Sequence, residues 1–190
     1  MVVGMDIETT GTTDKNQLIQ IGIALSTTAV ISEYVGWDES DIVWDEEAAS
    51  IHKIPKAVVV AAERKEVVED RLLKYLDQYG LRVNEVLLVP VGYNVGTFDV
   101  PYIRRTFPRL SEMISYQAID LNSIIFTMSE LIMGEVKYAK FTGWKSRAKK
   151  FAEEFMGSPP QWHDAGYDAL AGLVAWHWFR DRVSMGTGSF

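Results

Sequence analysis

The tightest constraint on this chain lies in its first eleven residues. An apolar run, Met1 to Met5, leads into Asp6-Ile7-Glu8 and passes at once into Thr9-Thr10-Gly11. A short apolar run closed by turn-forming residues reads as a β-strand. Side chains on a strand alternate between faces, so Asp6 and Glu8 project to the same side, one pleat apart. Two carboxylates held that close repel each other unless a cation lies between them. A metal site at the end of the first strand is therefore the leading inference, and the rest of the chain must supply its missing ligands.

Two further strand-like segments follow, Leu18 to Leu25 and Ala29 to Val35, with short links rich in Thr, Gly, Asp and Ser. That arrangement predicts an antiparallel meander. Asp45 to His52 reads as a short helix stopped by Ile54-Pro55. Glu63 to Tyr79 carries a helical stripe at Val67, Leu72, Leu73 and Leu76, with Gly80 as its stop. Val86 to Val91 is nearly continuous apolar sequence, as in a strand covered on both faces, and Pro90 is placed at its end because it lacks a donor. Beyond it the expected elements are a helix from Val100 to Thr106, a strand from Tyr116 to Leu121, and helices at Asn122 to Met133, Trp144 to Met156 and Asp164 to Arg182. Strands in a meander, then strands alternating with helices, define a mixed α/β sheet with helices on its faces. The expected organisation is one domain over residues 1–183 and a frayed tail over 184–190.

Composition narrows the function classes. With 190 residues, 47% of them apolar, the chain can bury a sizeable core. It has no cysteine, which removes disulfides, thiolate nucleophiles and cysteine-ligated zinc. No apolar run approaches the roughly 20 residues needed to span a bilayer. The start lacks the features of a signal peptide, so no membrane partner and a cytoplasmic location are expected. The formal charge of −7 argues against a protein that grips duplex nucleic acid by positive charge alone. It leaves open an enzyme that holds a strand end through divalent ions, which locally reverse the sign of an acidic cleft.

Two later runs supply candidate ligands. Gly92-Tyr93-Asn94-Val95-Gly96-Thr97-Phe98-Asp99 follows the buried strand directly, and open α/β sheets bind ligands at the carboxyl ends of their strands. Asp99 is thereby placed where it can meet Asp6 and Glu8. In Trp162-His163-Asp164-Ala165-Gly166-Tyr167-Asp168, His163 and Asp168 are five apart, a poor same-face spacing on a helix. They can meet if His163 belongs to the incoming loop and Asp168 to the second turn of the helix.

The three runs DIETTG, NVGTFD and HDAGYD together resemble the signature motifs of the DEDDh, or DnaQ-like, 3′–5′ exonucleases, and the match extends from Asp6 to about Ala171. The resemblance implies a ribonuclease-H-like fold: a five-stranded mixed sheet, three strands antiparallel, flanked by helices. It implies hydrolysis at single-stranded 3′ ends, with DNA favoured, RNA trimming as the alternative and a non-catalytic nucleic-acid-binding module as a further one. It implies two Mg²⁺ or Mn²⁺ ions held by Asp6, Glu8, Asp99 and Asp168, with His163 as the base for the attacking water. Thr9, Thr10, His52, Ile54, Asn94 and Phe98 become substrate-side candidates, Asn94 with a structural role and Phe98 first of all a packing residue. Ser50-Ile51-His52-Lys53-Ile54 echoes a family segment near the 3′-terminal nucleotide, although Lys53 stands where the family has Gly. A DNA polymerase or a replication or repair complex is a possible partner, and exposed tryptophans would be its mark.

Other residues have plainer readings. Asp164 suits the helix N-cap. His177, among Trp176 to Phe179, suits packing, and Met128, Leu131, Ile132 and Met133 suit the core. Lys145 to Lys150 (KSRAKK) reads as a solvated helix face. As the most basic stretch of an acidic chain, it has a second reading as a guide for a strand's backbone.

Overall fold

The computed structural model describes residues 1–133, 138–157 and 159–184, and among these the side chains of 1–127, 143, 145–157 and 159–181. Five strands form one sheet in the order β3-β2-β1-β4-β5. β1 (Val2–Thr9) pairs antiparallel with β2 (Leu18–Ala24), and β2 pairs antiparallel with β3 (Val30–Tyr34). β4 (Val89–Gly92) runs parallel to β1 on its other side, and β5 (Ile119–Asp120) runs parallel to β4. This is the expected ribonuclease-H-like, mixed α/β architecture.

The helices are α1 (Glu46–His52), α2 (Lys56–Ala61), α3 (Lys65–Gln78), α4 (Asp99–Thr106), α5 (Pro108–Ser111), α6 (Leu121–Met133), α7 (Tyr138–Met156) and α8 (Ala165–Ser184). No described helix is long and apolar enough to cross a membrane. Several local differences from expectation have simple causes. The stripe of α3 turns Val68, Leu72 and Leu76 inward, a strict four-residue spacing, and leaves Val67 exposed. Gly80, at φ +72°, ends the helix in the left-handed region as expected. The short helices α2 and α5 lacked a readable period. Pro90 lies inside β4, not at its end. It falls between the contact of Leu88 with Met113 to Ser115 and the pairing of Val91 with Ile119, so its missing N–H interrupts no ladder on that edge. β5 shrinks to two residues, and Tyr116 is exposed. The core readings of Met128, Leu131, Ile132 and Met133, and the tail beyond Ser184, lie outside the described side chains and residues.

The two faces of β1 separate core from site. Val3, Met5 and Ile7 point into a cluster with Leu72 and Leu76 of α3 and Ile103 and Phe107. Gly4 points to the opposite face, against α8, and Asp6 and Glu8 share that face by strand alternation. The contact with α8 is backbone against backbone. A methyl group added at Gly22 would overlap the Ala165 carbonyl, and one at Gly4 would overlap the Ala169 carbonyl. Gly172, one turn further, approaches Gly92 of β4. Small residues at positions 165, 169 and 172 thus lay α8 across β2, β1 and β4. On the outer side of α8, Ala148 and Ala152 of α7 are buried, and Phe151 stacks on Trp178 with ring centroids 5.8 Å apart.

Gly22→Ala should therefore cost about 1–3 kcal/mol or more, because the helix must lift off the sheet. Gly143→Ala, at an exposed position of α7 with open space around the new methyl, should stabilise by up to about 1 kcal/mol. Urea unfolding of both variants checks the pair, and a neutral Gly22→Ala would refute the direct contact.

Candidate active site

Four carboxylates from three distant parts of the chain line one cleft of about 220 Å³ with His163, Lys149 and Trp162. Asp6 and Glu8 come from β1. Asp99 opens α4, and its Oδ1 accepts the Ile7 N–H at 3.0 Å, which ties the start of α4 to the strand between the first two acids. Asp168 comes from the first turn of α8, one turn earlier than the spacing suggested. His163 precedes the helix with φ +71°, and its backbone N–H donates to Asp168 Oδ2 at 2.9 Å. The loop residue and the helix residue meet as the sequence required.

The helix start itself is fixed by Asp164, as read from the sequence. Its Oδ1 accepts the Tyr167 N–H at 3.0 Å, a helix cap, and its Oδ2 accepts from Gln20 Nε2 at 2.7 Å. Gln20 Oε1 accepts the Ala165 N–H at 3.2 Å, so β2 grips the amino end of α8 at two points. Gln20 is a positioning residue that motif reasoning missed. Its signal was a lone amide in the apolar strand LIQIGIAL.

Electrostatically the cleft is frustrated. Burial, then Asp99, Asp168 and Glu8, hold the Asp6 carboxyl well above the usual carboxylate range. Burial and Asp168 push Glu8 up to about 8. Burial pushes Asp99 up to about 8 despite the N–H groups it accepts. Burial pushes Asp168 up to about 6, moderated by the His163 N–H and by Lys149. His163 lies below its ordinary value because of burial, then Lys149 and Lys53.

These residues fit a divalent cation. One ligand atom each from Glu8, His163 and Asp168 lies within 4.8 Å of the others. Asp168 Oδ1 is buried with no hydrogen-bond partner. Oxygen donors in a polar cleft suit Mg²⁺ or Mn²⁺. Asp6 and Asp99 line the same cleft without joining that three-atom group.

The substrate-side candidates divide. A second pocket of about 330 Å³ adjoins the first and is lined by Ile7, Glu8, Thr9, His52 and Phe98, among others. Phe98 and Glu8 face both spaces. Phe98 also packs on Tyr102 at 5.1 Å, so the packing reading holds as well. His52 is buried, accepts the Ile54 N–H through Nδ1 at 2.9 Å, and leaves Nε2 without a partner. Three candidates line neither space. Thr10 is fully buried, with its hydroxyl bound to Gln17 and Asn16. Ile54 is buried with Ile19 and Val59. Asn94, at φ +62°, binds Asn122 at 2.7 Å and shapes the turn before α4 through its carbonyl, a structural role. His177 lies outside both pockets and is half-buried.

KSRAKK is only in part a solvated face. Lys150 reaches outward to Glu154 at 3.8 Å, but Lys145 and Lys149 line the acidic cleft. Lys149 Nζ lies 4.0 Å from the Trp162 ring centroid and Lys145 Nζ 5.0 Å from that of Tyr93. The two lysines are one turn apart on α7, and the neighbouring Ala148 is buried against α8. Among the described tryptophans, Trp37, Trp44, Trp162, Trp176 and Trp178, none is exposed, so the expected mark of polymerase docking is missing from them.

No protein-family model matches the sequence, and no curated protein matches it. Solved structures do. Exonuclease I of E. coli in complex with a dT13 oligonucleotide superposes with a TM-score of 0.67 at 18% identity, over 97% of this chain and 42% of that one. A 3′-exonuclease that recognises the histone mRNA stem-loop gives 0.58 at 13% identity, over 95% and 81%. S. pombe Pop2p in its Mg²⁺- and Mn²⁺-bound form gives 0.53 at 14%, over 100% and 85%. The chain spans less than half of the length of exonuclease I. At these identities the likeness is one of fold, and the fold is ribonuclease-H-like.

Folding raises the pKa of all four acids, so the folded state holds their protons more tightly than the unfolded chain does. Their contribution to stability is greatest below about pH 4 and is lost as pH rises toward 8. In EDTA, Asp6→Asn should therefore melt higher than the parent at pH 8, with the difference shrinking toward pH 5. Mn²⁺ should raise the parent's Tm more at pH 8 than at pH 5, because protons compete for the same oxygens. Thermal unfolding across this range checks both signs.

Proposed function

We propose that the protein is a metal-dependent exonuclease that removes nucleoside monophosphates from the 3′ ends of single-stranded DNA. The observation that carries this reading is the convergence of Asp6, Glu8, Asp99, Asp168 and His163 in one cleft beside a second pocket walled by Phe98. The choice of DNA draws on the fold's likeness to exonuclease I bound to dT13, and RNA is the alternative substrate.

In this reading Asp6, Glu8, Asp99 and Asp168 hold two Mg²⁺ or Mn²⁺ ions, which when bound neutralise charge on the phosphoryl and leaving oxygens. The terminal nucleoside enters the second pocket, where the Phe98 ring and the His52 edge border it. His163 accepts a proton at a ring nitrogen from the attacking water. Its lowered pKa keeps the imidazole neutral, and so able to accept, at pH 7. The water oxygen bonds to phosphorus, the bond from phosphorus to the upstream O3′ breaks, and that oxygen leaves as a hydroxyl after protonation by solvent. Asp168 accepts the His163 N–H and so holds the loop that carries the base.

Digestion of 5′-labelled single-stranded DNA, duplex DNA and RNA, with and without EDTA, tests the reading. Asp6→Asn and Asp168→Asn should each lower turnover by at least about a thousandfold. His163→Ala should lower it by about 10²–10⁴-fold and should remove the rise in rate with pH that reports deprotonation of the imidazole. Parent-like turnover in either carboxylate variant, or an unchanged pH profile without His163, overturns the assignment. Faster removal of RNA than of DNA replaces the substrate.

A further inference from the structure

The acidic cleft has one basic wall. Lys145 and Lys149 lie one turn apart on α7, about 5–6 Å between Cβ atoms, and both point into the cleft that holds the carboxylates. Both are half-buried, and among the described residues neither is in an ion pair. Their contacts are with ring faces. Lys149 lies over Trp162 at 4.0 Å and near Tyr93 at 6.0 Å, and Lys145 lies over Tyr93 at 5.0 Å. The Tyr93 hydroxyl is itself buried without a hydrogen-bond partner.

Half-burying two like charges side by side is unfavourable, and the carboxylates of the cleft offset it from a distance, without an ion pair to either lysine among the described residues. An ammonium has no lone pair, so the lysines cannot be metal ligands. The aromatic rings orient the two stems, and among the described residues neither ammonium has a hydrogen-bond partner. A phosphodiester anion fits these close-range donors, because each phosphate offers acceptor oxygens to both kinds present, the ammonium and the phenol.

We propose that Lys145 and Lys149, with the Tyr93 hydroxyl, form a two-point phosphate subsite that holds the strand next to its 3′ terminus. Lys149, beside Asp6, Asp168 and His163, binds the phosphate of the 3′-terminal linkage. Lys145, a turn away and beside Asp120, binds the next phosphate upstream. Successive phosphates along one strand thus meet successive turns of one helix. This rests on reading the cleft as a phosphodiester site.

The test is binding of 5′-fluorescein-labelled single-stranded dT12 in Ca²⁺, followed by anisotropy, with turnover in Mg²⁺ measured in parallel. Lys145→Met and Lys149→Met keep the apolar stem on the rings and remove the charge. Each should weaken binding about tenfold and flatten the salt dependence by about 0.7 in log K against log salt. Lys149→Arg should restore most of the affinity. A neutral methylphosphonate at the second linkage from the 3′ end should weaken binding to the parent about tenfold and leave Lys145→Met unaffected. No methylphosphonate loss in the parent also overturns the subsite, and that outcome is read without any variant. Parent-like affinity and salt slope in both Met variants, or an equal methylphosphonate loss with and without Lys145, overturns the subsite. Charge-dependent binding without cleavage supports the subsite and refutes the exonuclease reading. Cleavage with no dependence on the lysines does the reverse.

Discussion

Everything at the cleft depends on how closely α8 lies on the sheet. The contact is possible because Gly22, Gly4 and Gly92 present bare backbone where Ala165, Ala169 and Gly172 come down. Helices packed on sheets through ordinary side chains stand about 10 Å away, the spacing that packed layers keep. Here the separation collapses at one line of small residues. Asp168, between the two alanines, is thereby delivered to Asp6 and Glu8 on the same face of β1. Gln20 fastens the helix from below at Ala165 and Asp164, so the start of α8 has little freedom to drift. The glycines are as much part of the site as its charged groups, although none touches it with a side chain.

That geometry creates a local instability which the fold tolerates. Four acids share a partly desolvated cleft, and burial lifts each above its ordinary range, helped by repulsion from the other acids at Asp6, Glu8 and Asp99 and from Asp164 at Asp168. Pre-set anionic groups of this kind bind a divalent cation without reorganising. The cost is local, and added positive charge in the cleft would relieve it. The rest of the molecule compensates through a core on the opposite face of β1, where Val3, Met5 and Ile7 are buried with α3 and α4.

Much of this was legible in the sequence, and the boundary is instructive. The period-two pattern placed Asp6 and Glu8 on one face, and β1 carries them there. The five-residue gap from His163 to Asp168 called for a loop-to-helix meeting, and the His163 backbone N–H makes it. Asp164 as a cap followed from its position ahead of a helix. What the sequence did not disclose were contacts between segments far apart in the chain. Thr10 followed the acidic strand end as closely as Thr9, yet its hydroxyl is spent on Gln17 and Asn16 inside the protein. Ile54 adjoins His52 but turns to Ile19. Lys145 and Lys149 looked like surface charge because nothing local says which side of α7 meets α8. The buried Ala148 and Ala152 settle that orientation, and only the fold reveals them as buried.

The orientation of α7 also resolves a difficulty that net charge poses. A chain at −7 should repel a polyanion, and an acidic cleft should do so most of all. Attraction at a distance is not required if the charges are layered at close range. Carboxylates form the floor, where cations would sit, and two lysines form a wall, where the strand would pass. Ring faces of Trp162 and Tyr93 keep the ammonium groups from collapsing onto the acids, as the absence of an ion pair at either lysine among the described residues indicates. Had Lys149 closed on Asp168, each would have neutralised the other, and the cleft would have lost both its acidic floor and its basic wall. Separation of opposite charges across a few ångströms, maintained by aromatic spacers, is what lets one small cleft present both signs at once.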